Sequence, residues 1–287
     1  MALGKFSDTN LALTATLSSA VTPILPLSNM QIERRFVTLP ARFDCIDLEK
    51  SQFEIALDDV YLVSLVALVF HTMTLGARYR LTIAGWGDDD YSAPVLQTDW
   101  QYVWPSMYDP VDLQFGAENC LTGTLTQAEI GLYRPHLWIP FAEVLAAKIK
   151  VELDDHHNPA GYIDVGGLQV ISGFSPVINF DRERELAVLA RDLLDEMPAG
   201  RMIGEERTPR RQLTVGYSNL QDGEAWRFID AAMRARTTRP VVFLPNTDDP
   251  AALMREAFPA TLSTPPSARF GYSWTNATSL VLKEILA

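Results

Sequence analysis

Residues 154–157 place two carboxylates and two imidazoles side by side: Asp154, Asp155, His156 and His157. Such groups ligate metals, and an oxygen-rich set built on Asp154, Asp155 and His156 would suit a hard cation. Asn158, Pro159 and Gly161 follow directly and supply turn chemistry by themselves. Side chains adjacent in a turn diverge, so a plain turn competes with the metal reading. Asp88, Asp89 and Asp90 form a second acidic run. A calcium loop of the helix–loop–helix type needs acids at alternating positions and a closing Glu. That pattern is absent here, and a solvated acidic loop accounts for the run.

Aromatic residues cluster next to this acidic run. Trp86, Tyr91, Trp100, Tyr102 and Trp104, with Tyr108 beyond them, lie in a stretch broken by Pro94, Pro105 and Pro110. Aromatic faces stack on the apolar faces of sugars, and nearby acids accept hydroxyl hydrogen bonds. The first five are therefore candidate carbohydrate-binding residues, against the alternatives of core filling or a protein interface. The inventory for catalysis is thin. The four histidines are His71, His136, His156 and His157, and the sequence has no nucleophile elbow, phosphate loop or dinucleotide fingerprint. Cys45 sits between Asp44 and Asp47, and nearby acids raise a thiol pKa. No catalytic residue and no cofactor are expected.

These groups need elements to hold them. A chain of 287 residues, 47% hydrophobic and 21% charged, suggests two globular domains. The net charge is −12, unevenly spread: residues 1–180 carry 10 basic and 21 acidic side chains. An acidic half of this kind repels phosphate, so nucleic acid is not an expected partner. The basic clusters Arg207, Arg210, Arg211 and Arg234, Arg236, Arg239 sit among acids and read as a solvated or subunit-contacting face. Two cysteines allow no disulfide framework, and a reduced site of synthesis is the simple reading. The N-terminal residues lack the basic start and apolar core of a signal peptide, and the apolar run at 61–70 is about half a membrane span, so no membrane insertion is expected.

Period-two alternation and β-branched content predict strands at 53–57, 60–70 and 79–83, with Asp58 and Asp59 as a turn. Strands at 148–153, 162–165 and 168–171 flank the acidic turn and read as a hairpin. Thr126 and Glu129 have capping-box spacing and can open a short helix. A boundary falls near 173–179, giving domains 1–175 and 176–287. Beyond it, Leu186, Leu189, Ala190, Leu193, Leu194 and Met197 fit helical spacing, although the same residues can form a strand. Pro198 and Gly200 break that element. A strand at 212–217 leads to an amphipathic helix capped by Asp222, with Ala225, Ile229, Ala232 and Met233 on one stripe. Further strands are predicted at 240–244, 258–262, 270–274 and 279–285.

The N-terminal half resembles the galactose-binding-like jelly rolls of phage tail proteins. The likeness is carried by residues 27–29 with Arg34 and Arg35, by 53–57, by 63–71 with 76–80, and by 150–155 with 158–166. The C-terminal half resembles the ring-forming domain of tail subunits such as distal tail proteins, on residues 211–217, 223–235, 240–245 and 279–285. This implies a mostly β protein, α+β in its C-terminal part: a β-sandwich or jelly roll followed by a tail-ring-like β-sandwich domain with a packed helix. It implies a non-enzymatic structural component of a phage tail tip or baseplate, located in the virion and assembled in the host cytoplasm. The partners would be copies of itself in a trimeric or hexameric ring, other tail proteins, and a host cell-surface glycan. Arg211, Tyr217, Trp226, Phe243 and Trp274 are candidate assembly-interface residues. Carbohydrate binding by a receptor-recognition module is the alternative function. The ligand triad of the sugar-binding relatives is not found in this sequence.

Overall fold

The computed structural model describes residues 4–33, 36–196, 202–271 and 275–286. In chain order the strands are β1 (Lys5–Ser7), β2 (Thr16–Ser18), β3 (Ala41–Asp44), β4 (Gln52–His71), β5 (Arg78–Ala84), β6 (Leu96–Gln97), β7 (Gln101–Tyr102), β8 (His136–Asp154), β9 (Tyr162–Ile171), β10 (Glu185–Leu189), β11 (Leu193–Glu196), β12 (Met202–Glu205), β13 (Arg210–Leu220), β14 (Val241–Leu244), β15 (Pro259–Leu262), β16 (Ala268–Arg269) and β17 (Asn276–Glu284). The α-helices are α1 (Asp222–Ala235) and α2 (Pro250–Glu256). The protein is mostly β, as expected.

The chain divides into two units that are not contiguous in sequence. One, the sandwich unit, comprises Thr9–Phe174 and Asn246–Ala257. The other, the helix-backed unit, comprises residues 4–8, Ser175–Pro245 and Phe258–Leu286. A single cut at 175/176 therefore leaves two short segments on the wrong side.

In the sandwich unit, β4 and β8 run antiparallel for most of their length, with register shifts between Ala56 and Tyr61 and between Val63 and Leu65. Asp58 and Asp59 lie at the first shift, exposed within the strand, and make a bulge rather than the predicted turn. Extra residues in one strand sharpen twist and bend it. The bent pair contributes to two layers. Its residues 52–56 and 148–154 join β5, β6 and β7, and its residues 65–71 join β9 and β3. Phe53, Ile55, Leu81, Ile83, Ile149 and Val151 of one layer meet Phe43, Val66, Leu68, Ile163, Val165 and Val170 of the other in a single apolar core. Alternation explains this: within each strand every second side chain points inward. The predicted 148–171 hairpin is not formed. Both β8 and β9 are antiparallel to β4, which lies between them, so residues 155–161 cross from layer to layer. Residues 72–77 make a companion crossing at the same end.

In the helix-backed unit the sheet order is β1-β14-β15-β17-β13-β10, with β16 also on β17. The predicted helix forms, but its N-cap is Gln221, not Asp222. Gln221 and Glu224 exchange side-chain-to-backbone bonds in a capping box, and Asp222 instead accepts from Asn276 Nδ2 at 2.6 Å. The buried stripe is Ala225, Phe228, Ala231, Ala232 and Ala235; Met233 is exposed. Residues 186–189 and 193–196 are strand rather than helix: β10 pairs with β13 and β11 with β12. Met197 to Gly200, residues 272–274 of the predicted 270–274 strand, and Arg34 and Arg35 lie outside the described residues; Phe270 and Gly271 are not strand, which ends before them at β16. The Thr126–Glu129 spacing does make reciprocal bonds, but they open only a single 3-10 turn at Ile130–Leu132.

His71 ends β4 inside the sandwich unit. It is buried, takes the Met73 N–H on Nδ1 at 3.3 Å, and packs edge-on against Trp104. Its Nε2 finds no hydrogen-bond partner among the described residues. Burial pulls its pKa down from 6.5 to about 3. Below pH 6.5 the unfolded chain binds a proton that the folded chain refuses until about pH 3. Stability present above pH 6.5 is therefore lost as pH falls through that window. Urea unfolding between pH 6.5 and 5 should show a wild-type loss approaching ~1.4 kcal/mol per pH unit from this group. A His71→Gln variant should lack that component; equal pH slopes for the two proteins would refute it.

Candidate functional site

Strand β5 alternates cleanly. Tyr79, Leu81 and Ile83 enter the core, leaving Arg78 and Arg80 on the outer face. Register places Arg78 opposite Asp154 of β8 on one side and opposite Tyr102 of β7 on the other. Three neighbouring strands thus set Tyr102, Arg78 and Asp154 in a row, with strands about 4.8 Å apart. The Arg78 Nη2 donates to Asp154 Oδ2 at 2.6 Å, and His156 Nδ1 lies 2.7 Å from Asp154 Oδ1. Burial works against the Asp154 charge, but His156 and Arg78 outweigh it and hold the carboxyl below its ordinary range. One step along, Arg80 grips Glu152 with two bonds of 2.5 and 2.9 Å. Burial also opposes the Glu152 charge, and Arg80 and Lys150 outweigh it. Trp100 lies against both guanidinium groups, its ring centroid 4.9 Å from Arg80 and 5.8 Å from Arg78.

Asp155 has a different task. It is buried, and its carboxylate accepts from the Thr74 N–H at 3.0 Å, from the Thr74 hydroxyl, and from Asn158 Nδ2 at 2.8 Å. Asn158 Nδ2 also reaches the Thr72 carbonyl at 3.3 Å. The two layer crossings are fastened together here. Above this fastening opens a cleft of 270 Å³, lined by Thr74, Gly76, Arg78, Tyr102, Asp154, Asp155, His156 and His157. It combines guanidinium and imidazole donors, a carboxylate acceptor and an exposed phenol ring.

The structure does not bring the three metal candidates Asp154, Asp155 and His156 together. Asp155 turns inward to Thr74 and Asn158, while Asp154 turns to both His156 and Arg78. Among the described residues no group of three His, Cys, Asp or Glu side chains converges as a metal site. Cys45 is buried, and burial together with Asp155 and Asp44 pushes its thiol up, which disfavours a nucleophile.

The five aromatic candidates do not form one platform. Tyr102 is 64% exposed and Trp100 half-buried at the Arg78 end of β5. Trp86 is 82% exposed, but it follows Ala84 at the opposite end of the strand, about 20 Å away at the usual rise per residue. Tyr91 belongs to the same far loop, its hydroxyl buried and its pKa raised by burial and by Glu54 and Asp88. Trp104 is core: only 2% exposed, it donates its Nε1 hydrogen to the Met73 carbonyl at 3.2 Å. Arg78 is the key residue not singled out from sequence. The signal that finds it is the charged pair 78/80 alternating with the apolar set 79/81/83.

In the helix-backed unit, two assembly candidates prove to be core. Tyr217 and Phe243 are buried, Tyr217 tilted against Phe228, and Phe180 meets both edge-on. Arg211 is committed within the unit, paired with buried Glu284 at 2.7 Å and stacked over Phe258. Trp226 stays exposed, its ring 4.9 Å from that of Phe270. Trp274 lies outside the described residues.

No protein-family model matches the chain, and no curated protein matches it. Solved structures similar to part of it include the lectin domain of lectinolysin complexed with Lewis B antigen, at a TM-score of 0.37 and 11% identity over 57% of this chain and 96% of that one. A fucose binding module of Streptococcus pneumoniae gives 0.34 and 14%, over 57% and 97%. CBM32-1 from a family 31 glycoside hydrolase of Clostridium perfringens gives 0.34 and 10%, over 57% and 97%.

Placement separates the roles of these residues in a stability experiment. Trp104→Ala should cost about 3–5 kcal/mol in urea unfolding and Asp155→Ala about 2–4, through a cavity and through orphaned buried donors. Trp86→Ala should stay within about 0.5 kcal/mol of wild type. Equal losses at Trp86 and Trp104 would overturn the assignment.

Proposed function

We propose that the sandwich unit is a carbohydrate-binding module whose site is the cleft around Tyr102, Arg78 and Asp154. One observation carries this reading: the three strands align an exposed aromatic face, a fixed guanidinium and a charged carboxylate in one row beside an open cleft. A sugar ring has an apolar face that stacks on a phenol and hydroxyls that both donate and accept. Arg78 donates to a ring or hydroxyl oxygen, Asp154 accepts, and His156 adds a polar contact at the rim. The pairing of Arg78 with Asp154 limits the side-chain entropy lost on binding. The chemistry is recognition rather than cleavage. Asp154 is tied to Arg78 and His156, and Asp155 is consumed by the fold, so neither is poised as the acid of an acid–base pair.

The test is a glycan array followed by titration calorimetry on the best hit. Arg78→Ala and Tyr102→Ala should each weaken binding by about tenfold or more, the loss of one good polar or stacking contact. Trp86→Ala should bind as wild type. Absence of any glycan ligand for the intact chain would refute the proposal, as would binding that survives both substitutions.

A second reading, an oligomeric structural subunit of a phage tail, is favoured by one separate feature. Beyond the sheet of the helix-backed unit, β10 and β13 continue into β11 and β12 as a two-stranded arm, with the Arg207 N–H bonded to Asp192 across the break. Leu193, Leu194, Met202 and Ile203 on this arm are exposed, as are Leu186 and Val188 on the adjoining strand β10. An isolated two-stranded ribbon is marginal in water, and a run of exposed aliphatics marks a surface that associates. In this reading the arm joins neighbouring copies in the virion while the sandwich unit faces a host glycan. Light scattering should then report a discrete oligomer that Val188→Glu with Leu194→Glu dissociates. A wild-type monomer at micromolar concentration would remove this reading and leave the carbohydrate proposal untouched.

A further inference from the structure

Tyr102 lines not one cleft but two. The second, of 260 Å³, also belongs to the sandwich unit and is formed by Tyr79, Thr98 and Gln101, by Trp138 and Pro140 of β8, and by Thr247 and Leu253 beside and on α2. Its walls have a mixed character. Trp138, Pro140 and Leu253 are apolar, whereas Thr98, Gln101 and Thr247 carry hydroxyl and amide groups. Gln101 is held in place by the Tyr79 hydroxyl, which donates to its Oε1 at 2.6 Å. Segment 246–257 is anchored to the sandwich rather than loose: Met254 is part of the core, and Arg255 Nη2 donates to the Met107 carbonyl at 3.1 Å.

Apolar patches interrupted by hydrogen-bonding edges are the surface that a saccharide ring requires. Small-molecule sites usually occupy about 300–1,000 Å³. Each cleft alone falls just short of that range, and the two together lie well inside it. From this shared wall we infer that the ligand is an oligosaccharide of at least two sugar residues. One residue occupies the Arg78–Asp154 cleft, the next occupies the Thr247 cleft, and the Tyr102 ring is the contact common to both. This rests on the carbohydrate reading of the first cleft and adds the chain length of the ligand. Linking two subsites makes the second engagement intramolecular, so affinity should rise steeply from one residue to two.

The experiment uses the intact chain and ladders of mono- to hexasaccharides of galactose, glucose, N-acetylglucosamine and fucose, measured by titration calorimetry. For the sugar that binds, the disaccharide or trisaccharide should bind ~10-fold or more tightly than its monosaccharide. Thr247→Trp, which fills the second cleft, should bring the oligosaccharide down to monosaccharide affinity, whereas Arg78→Ala should weaken both. Thr247→Arg blocks the same space by a different shape and serves if the tryptophan variant does not fold. Equal affinity for monomer and oligomer would overturn the inference while leaving the first cleft standing, as would an oligomer advantage that survives both Thr247 variants. A chain that binds no member of any ladder would overturn the carbohydrate reading and this inference with it.

Discussion

One buried carboxylate organises the working end of the sandwich unit. Two crossings between layers, at 72–77 and 155–161, meet where Asp155 accepts from Thr74 and Asn158. Both segments are irregular backbone, and such backbone stays ordered in a buried setting only if its polar groups are paired. Asp155 supplies that pairing, so β5 begins and β8 ends at fixed positions. The neighbouring residue, Asp154, is then delivered to Arg78 on the outer face. Adjacent aspartates have thus divided the labour, one holding the end of the sandwich closed and the other presenting charge to solvent.

The same division explains what was legible in the sequence. Alternation exposed the strands around 53–57, 79–83 and 148–153, because one face of each is core and the other solvent. The amphipathic helix at 222–235 was legible for the same reason, though its cap and its buried stripe were displaced by the local capping box and by Phe228. The Asp58–Asp59 pair misled because a bulge and a turn share the same polar residues, and only the long β4–β8 pairing distinguishes them. Leu186 to Leu194 left helix and strand both open because their apolar residues show no clean period of two, and only the pairing of β10 with β13 and of β11 with β12 decides for strand.

The site was legible only in pieces. The acidic turn and the aromatic stretch were each visible, but their meeting point was not, since β5 joins Tyr102 to Asp154 through partners far apart in sequence. Burial was equally hidden. Trp104 and Tyr102 are two residues apart, and the same period that exposes one would expose the other on a regular strand. The chain leaves the strand after Tyr102, and Trp104 turns inward to the Met73 carbonyl. Local composition cannot encode that departure.

The discontinuous units have a consequence for how the polypeptide comes off the ribosome. Strand β1, with Phe6 opposite Phe243, is synthesised before the long sandwich segment Thr9–Phe174, and its pairing partner β14 only after it. Until then β1 is an orphan with open backbone groups, while the whole intervening sandwich can already close upon itself except for segment 246–257. Loop-closure entropy grows only slowly with length, so the delay costs little equilibrium stability but makes a late, non-local docking step in folding. Newly made chains should therefore pass through a stage in which most of the sandwich has closed while β1 still waits for β14, and that is when a chaperone would have most to offer.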